Sequence, residues 1–164
     1  MLDPSTDPDT GMTHPSDSAV QLRVERRIVE LAGQLLGVQL THRPRAEANT
    51  TLPGGARVDV DGYCPDPLIY AEVFARQGTL KPGQVHKVAQ DVLKLVTIRR
   101  CLAPTARLYV VFADEAAAAT LRGPGWLAEA ARVWEVQTVV VDLDPPLRLE
   151  LHRAQQRQRM TNPA

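Results

Sequence analysis

One segment constrains this chain more than any other. Leu68-Ile69-Tyr70-Ala71-Glu72-Val73-Phe74-Ala75 is apolar throughout except for a single acid. A strand that is apolar on both faces must be covered on both, which places it at the centre of a sheet with helices above and below. The same strand then carries Glu72 into the interior. An ionised carboxylate buried without a partner costs several kcal/mol, so Glu72 requires a cation, hydrogen bonds or a raised pKa.

The flanking sequence supplies the layers. After capping residues at Ser16, Asp17 or Ser18, the residues Val20, Val24, Ile28, Leu31 and Leu35 form a stripe at helical spacing, and Gly37 ends it. A short strand is expected around Val38 to Thr41. The polar stretch 43–55, with Pro44, Pro53 and Gly54-Gly55, reads as a loop. Arg57-Val58-Asp59-Val60-Asp61 alternates with period two and predicts a strand with both aspartates on one face. Residues 62–67 then make the turn into the central strand. Val85, Val88, Val92, Leu95 and Val96 predict a helix ending near Leu102, and residues 108–113 a further strand. Asp114 caps an alanine-rich helix that Gly123-Pro124-Gly125 interrupts and that resumes from Trp126 to Trp134. Residues 136–141 predict another strand, and 147–152, following Pro145-Pro146, an edge strand. The chain thus divides into a disordered acidic tail (1–17), a single α/β domain (18–152) and a basic flexible tail (153–164).

Charge excludes some classes of function. Lys+Arg and Asp+Glu balance at 19 each, so this is not a polybasic, histone-like chain. A neutral total still permits a local patch, and six Lys/Arg face one acid, Asp91, between Arg76 and Arg100. Cys64 and Cys101 are too few for a disulfide framework, form no zinc pattern, and read as packing residues. No leader-like segment and no run of about 18 apolar residues occurs, so no membrane association and a cytoplasmic location are expected.

The acids carry the chemistry. Strands joined by a short turn pair antiparallel, which brings Glu72 near Asp59 or Asp61 depending on register. Facing carboxylates repel unless a divalent cation sits between them, and hard oxygen ligands suit Mg²⁺ or Mn²⁺. Asp59, Glu72 and Asp61 are the candidate metal ligands. The competing reading makes them rim salt bridges to Arg57, Arg76 or Lys81.

The stretches GGARVDVDG, LIYAEVFARQG and GQVHKVAQDVLKL together resemble the core of the PD-(D/E)xK, or restriction-endonuclease-like, nucleases. The resemblance covers about Val20 to Phe112. It implies an α-β-β-β-α-β core, here with an additional C-terminal helix and strands. It maps the family's aspartate onto Asp59, or Asp61 with a shifted register, and its glutamate onto Glu72. The family's lysine, two residues after the glutamate, is replaced by Phe74. Lys87 on the following helix and Lys81 in the preceding loop are the candidate replacements, with Gln84, His86, Gln90 and Lys94 nearby; for Lys94 an Asp91 ion pair is the simpler reading. Glu30 is either an outer ligand or an exposed acid. Trp126 and Trp134 read as core or interface residues rather than base-stacking platforms. The function implied is a Mg²⁺- or Mn²⁺-dependent nuclease whose partner is nucleic acid, DNA ahead of RNA. The alternatives are a non-catalytic module of the same fold that binds nucleic acid or a partner protein, and an α/β regulatory domain with no site. Oligomeric state, a homodimer included, is left open by the sequence.

Overall fold

The computed structural model describes residues 15–161, with side chains from 18 to 157. Residues 1–14 of the expected acidic tail lie outside the described residues, and 15–17 open the first helix. The elements are α1 (Pro15–Leu36), β1 (Thr41–His42), β2 (Gly62–Pro65), β3 (Leu68–Phe74), α2 (Pro82–Cys101), β4 (Arg107–Phe112), α3 (Glu115–Arg122), α4 (Trp126–Val133), β5 (Val136–Val140) and α5 (Pro145–Thr161).

The five strands form one mixed sheet in chain order, antiparallel from β1 to β3 and parallel from β3 to β5. The apolar strand is at its centre, as its two-sided pattern requires. Tyr70 and Phe74 face a core shared with Val88, Val92 and Leu95 of α2, Ala117 of α3 and Leu127 of α4. Ile69, Ala71 and Val73 face the opposite core, built from Val24, Ile28 and Val29 of α1 and Leu151 and Ala154 of α5. The result is a mixed α/β fold with helices on both faces. Among the described residues, no helix is long and apolar enough to cross a membrane.

Several expectations are corrected. The regular strand before β3 is residues 62–65, not 57–61, and the turn shrinks from 62–67 to Asp66-Pro67. Gly62 belongs to the ladder rather than to a turn, because a Cβ there would sit 3.3 Å from the Ala71 Cβ and 3.8 Å from Val29 of α1. Residues 147–152 are helical, and α5 continues through much of the segment expected as a basic tail. Its first turn accepts Pro145 and Pro146, since the N–H groups they lack have no intrahelical partner. Finally, Trp126 and Trp134 are 76% and 50% exposed, so neither is a core residue. Asp114 caps α3 as expected, accepting from the Ala116 and Ala117 N–H groups, and α4 resumes after Gly125, whereas the short strand expected around Val38 to Thr41 is Thr41–His42 and Cys101 is exposed rather than packed.

Candidate active site

The β2–β3 register decides which aspartate meets Glu72. Gly62 pairs with Ala71 at the end of the ladder, and Asp61, just beyond it, is the aspartate whose charge acts on Glu72. The Asp61 N–H donates to the Ala71 carbonyl at 3.1 Å, and its Oδ2 accepts from the Val73 N–H at 2.9 Å. The aspartate is therefore locked to β3 at both its backbone and its side chain. Asp59, two residues earlier, has a side chain 90% exposed, with Arg57 Nε 3.9 Å from its Oδ1.

Glu72 is 1% exposed. It faces α2, on the same side of the sheet as Phe74, whose ring packs against Phe112 at 5.8 Å between centroids. The amine that reaches Glu72 comes from that helix. Lys94 Nζ lies 2.7 Å from Glu72 Oε1, a close ionic contact rather than an aligned hydrogen bond, and donates to the Asp59 carbonyl oxygen at 3.0 Å. Buried Asp91 stands one turn before Lys94, 3.7 Å from its ammonium, and also pairs with Lys87. Desolvation, and then the negative charge of Asp61, push the Glu72 carboxyl up to about 9 against the attraction of Lys94. Burial works to lower the Lys94 ammonium, but Glu72 and Asp91 outweigh it and raise it.

These groups line a cleft of about 480 Å³. Its carboxylates are Glu25, Asp59, Asp61 and Glu72, and its cations are Arg43, Arg45, Arg76, Lys87 and Lys94. Glu25 and Glu72 are its buried acids, Asp59 is exposed, and Arg43 and Lys87 are half exposed. The structure thus brings together Asp61, Glu72 and Lys94, with Asp59 and Lys87 at the edge. Lys81 is the exposed N-cap of α2 and is not among the cleft residues. Glu30 pairs with Arg27 at 3.3 Å and borders a different cleft. Of the basic run between Arg76 and Arg100, Lys94 turns inward to Glu72, and Arg99, 17% exposed, to the Trp134 carbonyl and Glu135.

Glu25 and Arg43 were not singled out by sequence reasoning. A signal existed for Glu25, which sits beside Val24 and four residues before Val29 on the buried face of α1. Arg43 gave none, since nothing in a polar loop marks an arginine for the cleft. Comparison of the chain with family models, with curated proteins and with solved structures returns no match.

Proposed function

We propose that this chain is a metal-dependent phosphodiester hydrolase acting on DNA, with RNA the second choice of substrate. The observation that carries the reading is the Lys94 ammonium at 2.7 Å from Glu72. The PD-(D/E)xK pattern lacks its strand lysine here, and Lys94 supplies an amine to the same carboxylate from the helix packed over the same face. The element order from α1 to β4 supports the resemblance further, as does the nearness of Asp61 to Glu72.

The donor set bears on the metal. Among the described residues, no group of three or more His, Cys, Asp or Glu side chains is placed to hold an ion. Two neighbouring carboxylates nevertheless suit Mg²⁺ or Mn²⁺, which is commonly held by one or two carboxylates with water and substrate phosphate completing the shell. Asp61 and Glu72 would hold it, with Asp59 at the edge. When bound, such an ion would polarise the phosphate and lower the pKa of an attacking water. The chain's own contribution is electrostatic: Lys94 is a fixed cation beside the place where phosphate charge develops, and its worth rises because it is three-quarters buried. Asp61, tied to the Val73 N–H, keeps its carboxylate from rotating away.

A second reading, a binding module without catalysis, is favoured by one feature. The Lys94 ammonium already stands against Glu72, where a cation would otherwise satisfy it. Cleavage of plasmid and single-stranded DNA by wild type, Asp61→Asn and Glu72→Gln separates the two. The hydrolase reading expects cleavage in Mg²⁺ or Mn²⁺ that either substitution and EDTA abolish. A wild type that retards DNA on a gel yet cleaves nothing in either metal establishes the binding module instead.

A further inference from the structure

The loop leaving β1 holds a non-glycine residue, Arg43, at a φ of 48°. That left-handed conformation crowds the Cβ of a non-glycine residue and persists only where the surroundings enforce it. Two contacts do so. The Arg43 N–H donates to the Asp61 carbonyl at 2.8 Å, and its Nη2 donates to Glu25 Oε2 at 2.6 Å. Glu25 is a buried acid of α1, steadied through its other oxygen by Gln21 Nε2 at 3.3 Å. His42 Nε2 lies 4.0 Å from the same Glu25 oxygen, but burial lowers its pKa, so Arg43 is the cation this acid holds at neutral pH. Arg43 itself remains 48% exposed in its side chain and lines the cleft one backbone hydrogen bond away from Asp61.

A salt bridge made for stability alone gains little from a strained backbone and a half-open guanidinium. An arginine gripped at one nitrogen and open at the rest is suited to something else. Its planar fork matches the oxygens of a phosphate, and the grip removes the rotamer freedom that binding would otherwise cost. We propose that Arg43 binds a backbone phosphate of the nucleic-acid strand, next to the one lying over Asp61 and Glu72, and that Glu25 is its positioning residue. The inference rests on the phosphodiester reading above and adds to it where the strand runs: from Asp61 and Glu72 towards the β1 side of the cleft.

The test is equilibrium binding of a fluorescently labelled single-stranded oligonucleotide in EDTA, which prevents turnover, across a series of salt concentrations. Arg43→Gln is expected to weaken binding about tenfold or more, as for a lost hydrogen bond to a charged group. It should also lower the slope of log Kd against log salt by about 0.7, the signature of one phosphate contact on a single strand. Glu25→Gln should weaken binding while leaving that slope in place, because the cation stays but its placement is lost. Thermal unfolding shows whether each variant is folded at the assay temperature. Should Arg43→Gln not fold, Arg43→Lys decides: weaker binding at an unchanged slope supports the fork, and wild-type affinity overturns it. Wild-type binding that Arg43→Gln leaves unaltered in affinity and slope overturns this inference but not the phosphodiester reading. A wild type that binds the oligonucleotide at no salt concentration overturns the phosphodiester reading, and this inference with it.

Discussion

Burial and the nearby Asp61 raise the Glu72 carboxyl far above that of an exposed glutamate, and the consequence for stability has a definite sign. Its carboxyl is raised to about 9 by burial and Asp61, from 4.5 in an unfolded chain. Between those values the folded state binds a proton that the unfolded state does not, so stability falls as pH rises through that window. Glu72→Gln removes the titration. In EDTA the variant is expected to match wild type near pH 5 and to become progressively more stable than it towards pH 9, which melting temperatures across that range check directly. A variant that loses stability relative to wild type as pH rises would mean that Glu72 is ionised and held by Lys94 as a structural ion pair. The anomaly of Glu72 was legible from its neighbours in sequence, because one acid in an apolar strand has few explanations. Its partner was not. Lys87, Gln90 and Lys94 share a helix face, and only the depth to which α2 sits on the sheet selects Lys94.

At the scale of elements, the periodicity identified the buried strands and the α2, α3 and α4 helices but failed where two periods coexist. Leu147, Leu149 and Leu151 alternate as a strand would, yet Leu147, Leu151 and Ala154 also follow helical spacing. The helix wins because it buries Leu151 and Ala154 against the α1 side of the sheet and leaves Leu149 50% exposed. Ion pairs of Arg23 with Glu150 and of Arg27 with Asp144 join the helix and its approach to α1. Leu151→Ala is accordingly expected to cost about 2–4 kcal/mol in urea unfolding, a large-to-small change at a buried site. Leu149→Ala should change little, and equal costs at the two positions would favour the strand. The shift of β2 has a similar origin. The alternation of residues 57–61 correctly buries Val60 and exposes Asp59, but it cannot reveal that the ladder itself begins at a glycine chosen for the close approach of α1.

For the molecule as a whole, a zero net charge conceals a local concentration of both signs: four acids and five cations line one cleft. The layered α/β plan followed from a single strand, whereas the cleft did not, because it also draws on Arg43 from a loop of no regular pattern and on Glu25, a buried acid of α1. The proposed hydrolase reading rests on Lys94 of α2 standing in for the strand lysine of the PD-(D/E)xK pattern, whose place Phe74 holds. It is tested most directly by single-turnover cleavage of a DNA strand in Mn²⁺ with wild type, Lys94→Ala, Lys87→Ala and Lys81→Ala. Loss of one preorganised donor predicts a rate lower by roughly 10²- to 10³-fold for Lys94→Ala. Lys87→Ala should fall by a small factor through its link to Asp91, and Lys81→Ala should cleave as wild type does. A Lys94→Ala enzyme that keeps the wild-type rate, or a loss confined to Lys87→Ala or Lys81→Ala, would contradict it.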